Sequence, residues 1–298
     1  MKSVDVTRLA SALGAEVRGL SLNTADPTLQ ETVLALLEEH KVLFFPDQHL
    51  NVEEHVAFGG LFGELQGHPH YKNTYTDHDK IFELAASHGG IADEWHSDIT
   101  FRPQPALFSI LHMVKCPGIG GDTLWANPEL AFEQLSPPLQ MLCENLTALH
   151  NAEPHGRPEV MTVHPVVRQH PVTGHKSLFV NQHFTRRIVE LSREESDHLL
   201  TYLTRWIGRE QFTLRYRWQA GTIAMWDNRC TQHKVLNDFN EERVIQRVTV
   251  MGDDLHGPEP TFPPFFKTGH RSDTSRHDKL LAEYFIDDDT MDQTPGDH

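Results

Sequence analysis

Strict alternation of side chains in residues 212–218 is the feature that most constrains the fold. Apolar residues occupy every second position and threonine or arginine the positions between, which is the period of a strand with one buried face. Apolar or alternating stretches predict further strands at residues 42–45, 107–113, 177–181, 222–226 and 243–251. Because turn residues such as the Pro-Val-Thr-Gly of 171–174 separate strands, the pattern favours an antiparallel double-sheet core.

Helical periodicity predicts helices packed outside this core. Asp26 and Pro27 are the residue types expected at an N-cap and at the first helical position, and apolar residues follow at positions 29, 33, 36 and 37. Similar periodicity predicts helices at residues 53–61, 139–149 and 193–206. The residues alone therefore predict a β-rich α+β fold.

The length and the distribution of prolines predict one main domain with an extension. At 298 residues and 38% hydrophobic, the chain can bury one substantial core. Four prolines crowd into residues 258–264, and a polar and then acidic stretch follows them. We expect residues 1–257 to form the domain and residues 258–298 to be loosely packed or disordered, unless Phe262, Phe265 and Phe266 anchor them on the body or on a second subunit.

Charge, apolar runs and cysteine content restrict the classes of partner and the compartment. A formal net charge of −16 argues against a nucleic-acid binder, which would need a basic face. No apolar run approaches the roughly 20 residues that span a bilayer, and the first residues lack the apolar segment of a signal peptide. Three cysteines outside CxxC spacing suit a reducing compartment. We expect a cytoplasmic protein that binds neither nucleic acid nor membrane and forms a homo-oligomer.

Three residues form a candidate metal site. His96 and Asp98 are two residues apart, so on an extended strand they share a face, and His233 could complete a 2-His-1-carboxylate set. Such a set leaves open positions on an octahedral ion, as chemistry with dioxygen requires. His-x-Asp alone is a weak signal among 21 histidines and 42 acidic residues. A second pair, His68 and His70, has no carboxylate at matching spacing, and Pro69 restricts its backbone.

Several further segments accompany the two that carry these ligands. They are Phe-Gly-Glu-Leu at 62–65, Gly-Gly-Asp-Thr-Leu-Trp at 120–125, His-Pro-Val-Val-Arg at 164–168, Leu-Phe-Val-Asn at 178–181 and Arg-Val-Ile-Gln-Arg-Val-Thr at 243–249. In this order and spacing, residues 14–253 resemble the taurine/2-oxoglutarate dioxygenase (TauD/TfdA-like) family. The resemblance implies a double-stranded β-helix (jelly roll, cupin-like) core with flanking helices, and Fe(II), 2-oxoglutarate and O2 as cofactor and cosubstrates.

The resemblance also implies roles for two arginines. It makes His96, Asp98 and His233 the iron ligands, and Arg243 with Thr123 the clamp for the far carboxylate of 2-oxoglutarate. The loop at 238–242 is one residue shorter than usual in the family, so Arg247 remains an alternative clamp. On one strand face, arginines four residues apart stand about 13 Å apart, enough to serve two anions. We expect Arg247 to bind an anionic group of the substrate.

Substrate contacts follow from the same resemblance. His68 and Tyr71 match an anion-binding histidine and a tyrosine of the family, while Ile99 and Phe184 match apolar walls. Two features depart from the taurine enzymes: Ala92 replaces an asparagine that contacts the amine, and the lid at 151–163 is short.

The implied activity is hydroxylation of a small or medium organic anion, such as a sulfonate, a sulfate ester or a carboxylate, with release of succinate and CO2. An oxidative tailoring enzyme, which desaturates or decarboxylates an amino-acid derivative, is the alternative. A β-sandwich that binds anions without turnover is the non-enzymatic hypothesis.

Overall fold

The computed structural model describes residues 4–24, 26–66, 78–88, 92–252 and 254–265. The strands in these ranges are β1 Asp5–Arg8, β2 Ala15–Arg18, β3 Val42–Phe45, β4 Leu65–Gln66, β5 Phe82–Ala85, β6 Ala106–Lys115, β7 Thr123–Ala126, β8 Thr147–Ala152, β9 Arg157–Pro165, β10 Val167–Gln169, β11 Lys176–Leu178, β12 Thr185–Ile188, β13 Thr213–Tyr216, β14 Ile223–Asp227, β15 Gln232–Val235 and β16 Val244–Met251. The α-helices are α1 Pro27–His40, α2 Val52–Gly60, α3 Pro128–Glu133, α4 Pro137–Cys143 and α5 Arg193–Ile207, and short 3-10 helices lie at Ala86–His88, Glu153–His155 and Glu210–Phe212.

Two antiparallel layers form the centre of the molecule. The major sheet has the order β1-β2-β3-β14-β6-β16-β4, with β5 also pairing with β16, and β2 and β3 are parallel within it. The minor sheet has the order β13-β7-β15, and β12-β8-β9 and β10-β11 are smaller additions. This arrangement is the predicted double-stranded β-helix core with helices outside it.

Apolar side chains fill both faces of the major sheet. Between the two sheets, Met113 of β6 and Ile245 of β16 belong to one buried cluster with Trp125 and Leu214 of the minor sheet. On the other face, β6 and β16 pack against α1 and α2 in a separate cluster. Residues of β6 and β16 that point inward therefore face a buried cluster rich in aromatic side chains between the two sheets, next to the candidate site.

Local sequence signals explain the helix starts. The Asp26 carboxylate accepts a hydrogen bond from the Thr28 backbone N–H at 2.9 Å, with Pro27 at the first helical position, as predicted. The capping box of α5 is formed by Ser192 and Glu195. Both helices begin where these residues satisfy the free N–H groups of the first turn.

Three predicted elements differ from the structure, and one of them, the strand expected at 177–181, is only Lys176–Leu178. The helix expected at 139–149 ends at Cys143, and Thr147 begins strand β8. Strand β8 is almost wholly buried, so its apolar run lacks the alternation that would distinguish it from a helix. The strand expected at 212–218 is shorter, because Phe212 ends a 3-10 turn.

The chain after the last strand runs along the body as far as residue 265. The His256 carbonyl accepts from the Gln169 N–H at 2.8 Å, and the Phe265 N–H donates to Val189 at 2.9 Å. Residues 266–298, including Phe266, lie outside the described residues, so the domain boundary at 257 stays a prediction. No helix in the described part of the chain has the length and apolar character to cross a membrane.

Candidate active site

The backbone brings the three predicted metal ligands together. His96 and His233 form a two-way bridge, in which each N–H donates to the other's carbonyl at 3.1 and 2.8 Å. The ligand atoms of His96, Asp98 and His233 all lie within 4.8 Å of one another, and all three residues are buried. The expected strand through residues 96–98 is not formed, because His96 alone pairs and a turn begins at Asp98.

Both predicted histidine ligands are neutral, which is the form that can bind a metal. His96 Nδ1 lies 2.8 Å from the Glu94 carbonyl, which can only accept, so Nδ1 carries the proton and Nε2 presents a lone pair. Burial lowers the pKa of His96 to about 4 and that of His233 well below its usual value, so both stay neutral near pH 7. His233 Nδ1 is buried without a hydrogen-bond partner among the described residues.

Asp98 is held ionised. Burial alone would raise the pKa of its carboxyl, but Arg247 and the other neighbouring groups keep the pKa well below the usual range. Arg247 Nη1 donates to Asp98 Oδ1 at 2.5 Å, and Ser109 Oγ donates to Oδ2 at 2.7 Å. Two neutral imidazoles and one carboxylate form a donor set that suits Fe(II).

A second cluster of potential ligands consists of His170, Asp227 and Cys230. The guanidinium of Arg229 donates to both oxygens of Asp227, with Nε–Oδ1 at 2.9 Å and Nη2–Oδ2 at 2.6 Å. Burial raises the pKa of the Cys230 thiol well above its usual value, so it stays protonated. This cluster is an internal ion pair, and Cys230 is one of three free thiols.

Arg243 and Thr123, the predicted cosubstrate residues, contact each other. Arg243 is buried, its Nε donates to the Gly121 carbonyl at 3.2 Å, and its Nη2 lies 3.4 Å from Thr123 Oγ1. Burial lowers the pKa of Arg243 to about 10, which still leaves it cationic at neutral pH. Trp218 Nε1 donates to the same Thr123 hydroxyl at 2.8 Å. Because this oxygen accepts two hydrogen bonds, its own proton is available for an anion.

Ile99 and Phe184 lie beside the predicted metal ligands in one apolar cluster with Phe101. The Phe184 ring meets the His96 ring edge-on, with centroids 6.3 Å apart. Ile99 has φ +48°, an uncommon conformation for a β-branched residue, which costs about 1–3 kcal/mol. His68, Tyr71 and the rival pair around Pro69 lie outside the described residues.

Sequence reasoning missed four residues around the site. Glu94, Ser109 and Asn228 bond to the ligands or their backbone, and His183 lies 5.5 Å from the His96 ring, with its Nδ1 2.7 Å from the Glu94 carboxylate. His183 precedes Phe184, and Asn228 lies within the Trp-Asp-Asn run before His233. Those adjacent positions are the signals that could have drawn attention to both residues.

Comparison with known proteins identifies the family. The family model for the taurine catabolism dioxygenase TauD, TfdA family matches residues 5–249. The chain is 36% identical to an alpha-ketoglutarate-dependent sulfate ester dioxygenase of Pseudomonas putida, over 84% of this chain and 90% of that protein. It is also 36% identical to an alkylsulfatase of Acinetobacter baylyi, over 86% of this chain and 87% of that protein.

The fold agrees with this family. A crystal structure of a taurine dioxygenase from Burkholderia xenovorans has a TM-score of 0.79 and 34% identity, covering 89% of this chain and 97% of that one. The chain belongs to the TauD/TfdA family. It is an Fe(II)- and 2-oxoglutarate-dependent dioxygenase, as the sequence predicted.

Proposed function

We propose that the enzyme oxidises alkyl sulfate esters, with His96, Asp98 and His233 as iron ligands. The observation that carries this proposal is the buried Arg247, which lies against Asp98 and retains a donor, Nε, without a hydrogen-bond partner among the described residues. Two relatives at 36% identity are named for sulfate esters and alkyl sulfates, which supports that class of anion.

Charge balance favours a substrate with a single negative charge. Fe(II), the 2-oxoglutarate dianion, Asp98 and the two buried arginines together leave one formal positive charge, since the histidines are neutral. Buried charges are stable only when they are paired. A sulfate monoester, a sulfonate or a carboxylate would supply the missing anion.

Each residue has a role in the proposed reaction. Iron with 2-oxoglutarate and dioxygen supplies the oxidising chemistry, which yields succinate and CO2 and hydroxylates a C–H bond. Arg243 and Thr123 hold the far carboxylate of 2-oxoglutarate, and Arg247 orients the substrate anion. Ile99 and Phe184 form an apolar wall that excludes water from the reacting carbon. If the hydroxylated carbon bears the ester oxygen, the product collapses to an aldehyde and inorganic sulfate.

The test is a substrate panel of matched chain length. A linear alkyl sulfate, the corresponding alkanesulfonate, taurine and the neutral alcohol are compared by succinate formation, with aldehyde and sulfate measured as products. We expect the alkyl sulfate to give the highest kcat/KM and the alcohol to give the background rate. Faster turnover of taurine, or a desaturated product, would contradict the proposal.

Arg247 variants test the anion site directly. Arg247→Leu should raise the substrate KM far more than the 2-oxoglutarate KM, whereas Arg247→Lys keeps the charge and should lie between it and the wild type. An unchanged KM for the alkyl sulfate in Arg247→Leu would exclude this role.

We also propose a compartment, an oligomeric state and roles for residues outside the described ranges. Three free thiols, two of them buried, support a reducing compartment such as the cytoplasm. Assembly into a homo-oligomer is likewise a proposal. His68 and Tyr71 remain proposed substrate contacts, and residues 258–298 a proposed extension.

A further inference from the structure

Asp98 is hydrogen-bonded through both its backbone and its side chain. Its N–H donates to Asn228 Oδ1 at 3.1 Å, Asn228 Nδ2 donates to Ser109 Oγ at 2.9 Å, and Ser109 Oγ donates to Asp98 Oδ2 at 2.7 Å. The three residues therefore form a closed ring of hydrogen bonds. Ser109 and Asn228 are at most 1% exposed, so water does not compete for these bonds.

The direction of every bond in this ring is fixed by chemistry. Asn228 Oδ1 faces two groups that can only donate, the Asp98 N–H and Trp226 Nε1 at 3.1 Å, so the amide cannot be reversed. Asn228 Nδ2 must then donate to Ser109, and the serine hydroxyl keeps its own proton for Asp98. An ionised carboxylate can only accept it, which makes this a charge-assisted hydrogen bond.

The two carboxylate oxygens of Asp98 have different neighbours. Oδ2 is bonded to Ser109, whereas Oδ1 is the oxygen that lies 3.9 Å from His96 Nε2, the proposed ligand atom of that histidine. Arg247 also bonds Oδ1, but a carboxylate oxygen has a second lone pair. Rotation of the carboxylate toward a metal would break the bond from Ser109.

We propose that Ser109, oriented by Asn228, is a positioning residue that limits Asp98 to one coordinating oxygen, Oδ1. An octahedral ion with three single-atom protein ligands has three positions left, two for chelation by 2-oxoglutarate and one for dioxygen. A second oxygen from Asp98 would occupy one of them. Ser109 thereby preserves the vacant positions on which cosubstrate binding depends. This inference rests on the proposed ligand set, and it is independent of the substrate.

The test separates metal binding from cosubstrate binding in the full-length protein under anaerobic conditions. Fe(II) affinity is titrated first, and 2-oxoglutarate affinity is then titrated through the visible charge-transfer band of the Fe(II)–2-oxoglutarate chelate. In Ser109→Ala, Fe(II) affinity should stay within about threefold of wild type, while the 2-oxoglutarate dissociation constant should rise about tenfold or more, the size of effect expected from loss of a hydrogen bond to a charged group.

Two further variants control the result. Ser109→Thr keeps the hydroxyl and should restore 2-oxoglutarate binding. Ser196→Ala removes an equally buried hydroxyl that bonds the Ile188 N–H away from the site, and it should change neither constant. If Ser109→Ala does not fold, Ser109→Cys, with its weak S–H donor, should still weaken 2-oxoglutarate binding selectively.

The outcomes distinguish this inference from the proposed function. Unchanged 2-oxoglutarate binding in Ser109→Ala, or in Ser109→Cys where only that variant folds, would overturn the inference alone. Equal loss of Fe(II) and 2-oxoglutarate affinity would do the same, because it would mean that Ser109 only supports the ligand. A wild-type protein that bound neither would overturn the proposed function as well.

Discussion

At the residue scale, Asp98 has two roles: it is a proposed iron ligand and the partner of a buried arginine. Asp98→Ala should abolish Fe(II) binding and turnover. It should also lower the free energy of unfolding by about 3–5 kcal/mol, since Arg247 would be left buried without its anion. Anaerobic metal titration and chemical denaturation measure the two effects. The double variant Asp98→Ala/Arg247→Leu should recover part of the stability and none of the iron binding. Normal iron content in Asp98→Ala would show that the ligand assignment is wrong.

We expect Trp218 to influence 2-oxoglutarate binding through Thr123. Trp218→Phe removes the indole N–H that donates to the Thr123 hydroxyl, so this hydroxyl loses its fixed orientation. Loss of one such bond is worth about 0.5–1.5 kcal/mol, so the 2-oxoglutarate dissociation constant should rise about two- to tenfold. Anaerobic titration measures it.

Trp206→Phe is the matched control for this change. Its indole donates to the Ala131 carbonyl at 2.8 Å, in a different hydrophobic cluster from that of Trp218. The control should lose similar stability without a change in 2-oxoglutarate binding. Identical 2-oxoglutarate dissociation constants in the two variants would show that Trp218 has no role in 2-oxoglutarate binding.

At the scale of elements, the glycine turn before β7 contacts Arg243, the proposed clamp for 2-oxoglutarate. Gly121 has φ +69°, its carbonyl accepts from Arg243 Nε, and a Cβ there would lie 3.2 Å from Arg243 Cδ. Gly121→Ala should therefore destabilise the fold by about 1–2 kcal/mol and also weaken 2-oxoglutarate binding. Gly156→Ala has nearly the same φ, +73°, and no atom within 4 Å of the added carbon. It should cost similar stability and leave the dissociation constant unchanged; an equal change in both variants would refute a local role for Gly121.

Elements with strong local signals could be predicted from the sequence. Strand β16 could be predicted because Val248 and Val250 alternate with Arg247 and Thr249. It begins one residue after its expected start. Strand β8 could not be predicted, since its uniform burial erases the period. The site was also only partly predictable. Residue types at 96, 98 and 233 indicate a metal, but the bond from Ser109 to Asp98 depends on the pairing of strands that are distant in the sequence.

At the scale of the whole molecule, buried neutral histidines make stability depend on pH. Burial lowers the pKa of His55 to about 3 and those of His96 and His164 to about 4, while an unfolded histidine titrates near 6.5. Between about pH 6 and pH 4 the unfolded state therefore binds more protons, so stability falls as pH falls through this window. Three histidines give a slope of roughly 4 kcal/mol per pH unit near pH 5.

Denaturation at several pH values measures that slope. His55→Gln keeps a donor for the Ile110 carbonyl and should reduce the slope by about one proton, or 1.4 kcal/mol per pH unit. The exposed His198 provides the control, because His198→Gln should leave the slope unchanged. A flat profile between pH 6 and pH 4 would contradict the buried neutral state of these histidines.

The last prediction concerns how much of the chain the iron site requires. Every proposed ligand of iron and 2-oxoglutarate precedes residue 253, whereas residues 254–265 contact the body at Gln169, Val189 and Asn145. A chain that ends at residue 265 should therefore bind Fe(II) and 2-oxoglutarate with wild-type constants. A chain that ends at 257 loses the contacts of Thr261 and Phe265, so it should have a lower Tm while still forming the charge-transfer band. Loss of the band in the folded chain that ends at 265 would show that residues 266–298 complete the site.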